Sequence, residues 1–293
     1  MPWWTHGFGP RVKGAIAALD RLPAPLRRGA TLAAAGVLLA MLLAAVLAPW
    51  LAPHPYQAQN LDARLLATAP GHPLGTDHLG RDVLSRLLYG ARASFSVAAV
   101  VIGIELLFGL ALGLLAGYFG RAVDAVIMRV ADAMFAFPDI LLAILITGIL
   151  GPSLINVVIA LALVGWPGMV RLVRGQVLVL KEREFVEAAR ALGGSHGRIL
   201  LRHVLPNLAG PVLVAATVGT GSVILAEATL SFLGLGMQPP EPSWGSMIHE
   251  ARHYLRHHPT LILWPSLMVA VAVTAFNFLG DGLRDWLDPR MRR

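Results

Sequence analysis

The chain has 293 residues, of which 56% are apolar and only 14% charged, with a mean hydropathy of +0.65. Charges that sparse cannot cover a soluble particle of this size, where about a quarter is usual, and hydrophobicity that high excludes intrinsic disorder. The absence of cysteine removes disulfides, thiol catalysis and cysteine-ligated metal centres, while the net charge of +7 needs no nucleic acid, because membrane proteins collect basic residues in cytoplasmic loops.

A membrane-crossing helix needs about 20 predominantly apolar residues. After a tail over residues 1–28, the first such stretch runs 29–51, uncharged and preceded by Arg27 and Arg28. It is too long for the roughly 7–15-residue apolar core of a signal peptide, so an uncleaved anchor is expected. An outer loop over 52–92 follows. In it Leu84, Leu87, Leu88 and Ala91 share one helical face of the stretch 79–91, and the expectation is a helix lying flat at the membrane interface. The second span is 93–119, interrupted by Glu105. The third starts near Val123, carries Asp124, Arg129 and Asp132 in its first half, is apolar over 140–150, and is expected to kink at Pro138. The fourth, fifth and sixth spans are 154–170, 208–232 (containing Glu227) and 261–279, ahead of a short tail over 284–293.

With the N-terminus inside, 18 of the 24 lysines and arginines fall in inner segments and 6 in outer ones. That bias places both termini in the cytoplasm.

The inner stretch 181–207 reads KEREFVEAARALGGSHGRILLRHVLPN. Residues 182–192 are strong helix formers, Gly193 and Gly194 supply a stop, Ser195 can cap a second short helix, and Pro206 is expected to end it. A compact helix–turn–helix results. Glu184 opens the turn before Glu187-Ala188-Ala189; Gly193 follows at a fixed distance, and Leu205-Pro206 closes the segment. This pattern resembles the EAA loop of bacterial ABC importer permeases, with His203 standing where many of them have an apolar residue. An ordinary amphipathic loop needs no such spacing, and Glu182, Glu184 and Glu187 interrupt the basic run that anionic lipid would favour.

Four further segments resemble the dipeptide, oligopeptide and nickel branch, specifically its second, C-type permease. They are GTDHLGRDVLSRLLYGARAS (75–94), ATLSFLGLG (228–236), PSWGSMIHEARHYL (242–255) and FLGDGLRDWLDPR (278–290). The resemblance implies an all-α integral membrane protein of the type I importer fold, with a permease domain over 93–283 and the first helix added in front. It implies docking of the EAA loop onto ATPase subunits, and a pathway formed with a second, related permease. It also implies an extracytoplasmic solute-binding protein and residence in the bacterial inner membrane. Short peptides are the expected cargo, with nickel chelates or glutathione-like solutes as alternatives. The chain has no glycine-rich phosphate loop followed by lysine, so no enzyme activity and no cofactor of its own is expected. ATP and magnesium would belong to the partner ATPases.

Two rival classes have partial support in the sequence. His249-Glu250-Ala251-Arg252-His253 matches the HExxH pattern of zinc proteases, but a catalytic zinc needs a third protein ligand. The next acidic residue downstream is Asp281, expected across the membrane, so no metal ligand is assigned. An ion-gradient transporter would use Glu105 as its coupling site and would not need the EAA loop. Carboxylates inside spans usually face a bundle interior or an aqueous path. Glu105 and Glu227 are therefore either translocation-path residues or contacts between helices. The stretch Gly219–Ser222 suits close helix packing.

Overall fold

The computed structural model describes residues 24–287. The expected tails over 1–28 and 284–293 lie largely outside that range. Among the described residues the secondary structure is helical, with only two isolated β-bridges, in the outer loop.

Helix α1 spans Ala24–Val46 and continues, after a one-residue break, into α2 (Ala48–Leu51). The outer loop leads to α3, Val83–Phe119, a single helix of 37 residues and about 55 Å. The stretch expected to lie flat and the stretch expected to span are here parts of one continuous helix. Asp82 caps α3 by accepting the Ser85 N–H, and nothing after it breaks the helix. Gly90 is tolerated because the Trp244 ring packs against its backbone. The apolar face is covered as expected, with Leu87 and Ala91 in the core, but the polar face is covered too. Arg81, Asp82, Ser85 and Arg86 are buried, at 2% exposure or less, because acidic residues of the same loop and of a later one meet them there.

At Gly120, with φ of 64°, the chain turns into α4 (Arg121–Phe135), and α5 (Asp139–Leu150) follows at 85° to it. The expected kink at Pro138 is thus a corner. The proline, lacking an N–H, stands as the residue before α5, where an N–H would be unsatisfied in any case. α6, Leu154–Leu180, runs ten residues beyond the expected end of the fourth span. Next come α7 (Glu184–Ala191) and α8 (His196–Ile199), a π-helical turn over Leu200–Val204, and α9 (Leu205–Phe232). α10 (Trp244–Ala251) and α11 (Thr260–Leu287) complete the described residues. Among the described residues five helices are long and apolar enough to cross a membrane, and the bent α4–α5 pair makes a sixth candidate.

The centre of the bundle is α3 against α6, the most extensive helix pair. Its closeness comes from glycines. A Cβ on Gly109, Gly113 or Gly117 would sit 2.2, 2.6 or 2.7 Å from side-chain atoms of Met169, Val173 or Val177. This four-residue period puts a smooth strip along α3 into which the α6 side chains press, as small residues do where helices associate in lipid. Gly219 and Gly221 of the predicted stretch also make close approaches, to Ile102 and Phe276. One apolar core surrounds Phe95, Val101, Ile224 and Trp244, and a second surrounds Val173, Val177, Val204 and Leu208. α1 lies on α11 through Ala34, Leu38 and Ala275. Elsewhere large apolar side chains face outward, among them Leu39, Leu43, Leu145, Ile149 and Ile155. Monomeric soluble proteins rarely carry that much exposed apolar surface, and a lipid-facing bundle requires it.

Candidate functional site

The segment 181–207 forms an outcrop at the end of the bundle where α3 finishes and α6 gives way to α9. α7 begins at Glu184, with Arg183 as its N-cap residue. Glu184 and Glu187 lie in its first turn, where negative charge complements the helix dipole. One side chain anchors it. Val186 is fully buried against the core that contains Val177, Ile199, Val204 and Leu208. Ala189 is half-buried on the same side.

The opposite face is open. Glu184, Glu187 and Ala188 are exposed, together with the apolar Phe185 (42%) and Leu192 (89%). The turn after α7 takes the form the sequence predicted. Gly193 has φ of 77°, its N–H donates to Arg190 O at 3.0 Å, and the Gly194 N–H donates to Ala189 O at 3.0 Å. Gly194 is constrained differently, since a Cβ there would sit 2.7 Å from Ala189 O. Ser195 caps α8 through the Arg198 N–H, as expected.

The end of the segment departs from expectation. Pro206 does not terminate a helix; it is the second residue of α9, in a helical path running without interruption from His196 to Phe232. A proline inside a helix loses one hydrogen bond and presses on the carbonyl four residues before it. The wider π-helical turn over Leu200–Val204 lies just ahead of it and loosens the spiral there. Leu205 is half-buried against the core and Pro206 is exposed. The outcrop is tied to the bundle by polar contacts. Tyr118 and His196 share a hydrogen bond of 2.9 Å, and Lys181 Nζ donates to Gly117 O at 3.1 Å. Nearby, the Arg174 guanidinium makes a two-pronged contact with Asp124 across α4 and α6.

The two carboxylates inside spans sit in different settings. Glu227 is 1% exposed and accepts hydrogen bonds from Ser94 Oγ at 3.0 Å and Ser231 Oγ at 2.7 Å. It joins α9 to α3. Glu105, 9% exposed, lies against the α6 backbone, where a Cβ on Gly165 would overlap its carboxylate.

At the far end of α3 is a charged cluster that sequence reasoning did not assemble. Asp77 and Glu250 hold Arg81 and Arg86 between them. Arg81 Nε meets Asp77 at 2.6 Å, its Nη2 meets Glu250, and Arg86 Nη2 reaches Glu250 at 3.1 Å. The glutamate of the HExxH pattern is therefore the counter-ion of two buried guanidiniums. Its neighbours point elsewhere. His249 Nδ1 lies 2.6 Å from Phe232 O, and His253 Nε2 accepts from Arg252 Nε at 3.1 Å. A second group in the same region consists of His54, His72 and Asp82. Its only sequence signal is the run of histidine and aspartate around the α3 cap, split across about 30 residues.

Comparison with known proteins agrees with this architecture. Residues 109–293 match the family described as "Binding-protein-dependent transport system inner membrane component", and residues 26–70 match the "N-terminal TM domain of oligopeptide transport permease C". A dipeptide transport system permease protein of Alkalihalophilus pseudofirmus is 46% identical over 87% of this chain and 84% of its own. A glutathione transport system permease protein of Pectobacterium atrosepticum is 45% identical over 81% of this chain and 80% of its own. A peptide transport system permease protein of Brucella suis, itself named as putative, is 44% identical over 87% and 86%. Among solved structures, the MetNI methionine ABC transporter in an inward-facing conformation aligns with a TM-score of 0.57 and 18% identity, over 69% of this chain and 96% of that one.

Proposed function

The chain belongs to the family of inner membrane components of binding-protein-dependent transport systems, and on that premise we propose that it is the C-type permease of an ATP-driven importer of short peptides. The observation that carries the mechanism is the outcrop. α7 is a short helix held by one buried valine, with an acidic and apolar face free for a partner. Both chain ends of this outcrop continue into long helices. α6 enters it after 27 residues of continuous helix, and α8 leaves it in a helical path that reaches Phe232.

A push on α7 is therefore delivered to two spanning helices at once. The partner that pushes is an ATPase subunit, and a second permease subunit supplies the other half of the pathway. ATP closes the ATPases, α7 moves with them, and the cavity turns from inward- to outward-facing. A loaded solute-binding protein then delivers its cargo, and hydrolysis resets the cycle. Each ligand shifts this equilibrium only by its differential affinity for the two states. ATP and magnesium stay on the ATPases. Glu105 and Glu227, placed at contacts between helices, keep those helices in register through the cycle; a role in the pathway itself would need an opening at these contacts.

The basic asymmetry of 18 to 6 supports an arrangement with α7 and both termini in the cytoplasm. The dipeptide and peptide permeases among the relatives support peptide cargo, and the glutathione permease supports a tripeptide as the second reading. Reconstitution with the cognate ATPases and binding protein tests the cargo. Labelled dipeptide should enter proteoliposomes in an ATP-dependent way and be competed by unlabelled dipeptide; uptake of glutathione or a nickel chelate with no dipeptide uptake would replace this reading.

A further inference from the structure

We propose that His54, His72 and Asp82 form a binding site for one divalent transition-metal ion of the zinc type, at the end of the bundle opposite α7. One ligating atom from each residue falls within 4.8 Å of the others. His72 Nδ1 lies 2.9 Å from Asp82 Oδ1, close to the spacing of about 3.3 Å that bonds of roughly 2.0–2.1 Å impose around a tetrahedral ion. His54 stacks on His72 with ring centroids 4.5 Å apart, so a small rotation of a half-buried ring completes the set. Two features point to an ion at this group. His54 Nδ1 is buried and has no hydrogen-bond partner. The Asp82 side chain is fully buried, and among the described residues its one ion-pair partner is His72.

The neighbouring charges do not fill this need. Arg81 and Arg86, two cations against two anions, are both taken by Asp77 and Glu250, and neither guanidinium pairs with Asp82. That balance also excludes the adjacent Asp77–His78–Glu250 group as a cation site, because its carboxylates already hold the two guanidiniums. Two imidazoles with one carboxylate suit zinc, cobalt or nickel rather than magnesium or calcium, which prefer all-oxygen shells.

The surroundings orient the ligands. Asp82 Oδ2 accepts from Ser85 N at 2.7 Å and Ser85 Oγ at 2.8 Å, which leaves Oδ1 for the metal. Ser85 Oγ also accepts the His54 N–H at 3.2 Å. Such outer contacts fix ligand direction in metal sites. A bound ion joins three separated stretches, the segment after α2, the turn at His72 and the cap of α3, and so clamps the end of the first helix to the core.

The test uses the full-length chain, purified in detergent and stripped with chelator, with cobalt(II) as the probe. One equivalent per chain should bind and give the visible absorption of a four-coordinate ion. Added zinc should abolish that absorption and raise the unfolding midpoint. His54→Phe, which keeps a ring for stacking, and His72→Asn should each remove the absorption and the zinc-induced shift. His249→Ala with His253→Ala should change neither. Absence of stoichiometric binding, binding that survives both His54→Phe and His72→Asn, or binding lost with the 249/253 pair would each overturn the proposal.

Discussion

Glu250 shows how one residue's role depends on what the fold brings to it. In the sequence it is the middle of a protease-like pattern; in the structure it neutralises Arg81 and Arg86, which are 2% and 1% exposed. Removing one partner of a buried ion pair costs about 3–5 kcal/mol. Glu250→Gln should therefore lower the thermal unfolding midpoint of the purified protein markedly, and an unchanged midpoint would remove this cluster from the account. His78 lies beside the same cluster, stacked on Tyr254. Burial lowers its pKa from the ordinary 6.5, and the charges of Asp77 and Glu250 only partly oppose that. The unfolded chain thus takes up this proton more readily than the folded one. The stabilisation is complete above pH 6.5 and is lost as the pH falls below it toward the folded-state value. His78→Asn should flatten the loss of stability on acidification; identical slopes for variant and parent would contradict this.

Among the elements, the α3–α6 pair carries the sharpest expectation. Gly113 faces Val173 so closely that a Cβ would lie 2.6 Å from the valine Cβ. Gly113→Leu should disrupt packing and reduce the amount of assembled protein in the membrane. Val173→Ala in the same chain should restore part of it, because the valine is what the new side chain strikes. Equal loss in single and double variants would show that the strip does not set the helix spacing. The four-residue glycine period was present in the sequence. It does not mark a packing strip by itself, because apolar span and packing strip look alike until the facing helix is known.

The same limit explains the other differences. Hydrophobic runs located the spans well, since burial in lipid depends on composition alone. They could not locate helix ends, because polar residues at the ends of α3, α6 and α11 find partners in the bundle and helices continue through them. α7, the Gly193 turn and the Ser195 cap were legible, since local backbone chemistry decides each. The polar faces of Arg81, Asp82 and Arg86 were not, because their partners lie up to 169 residues away. Only tertiary structure turns those faces inward.

Across the whole molecule, orientation and coupling are the claims to test. A cysteine at Ser195, which is exposed beside α7, should react only with reagents on the cytoplasmic side, and cysteines at Gln57 and Glu241 only from outside. Ser243, in the same outer loop, is fully buried as the cap of α10 and is unsuited to labelling. Reaction of position 195 from outside would invert the scheme.

Coupling through α7 is the central claim. Gly193 has open space around it, so Gly193→Val meets no clash and suffers only from the left-handed backbone, at about 1–2 kcal/mol. Glu187→Lys changes an exposed charge, and exposed substitutions usually stay within roughly 0.5 kcal/mol. Both variants should reach the membrane in normal amounts. The decisive measurement is ATPase activity of the reconstituted transporter, with and without loaded binding protein, alongside peptide uptake. The account predicts that both variants lose most of the stimulation and most of the uptake, and wild-type stimulation and uptake in both would contradict it.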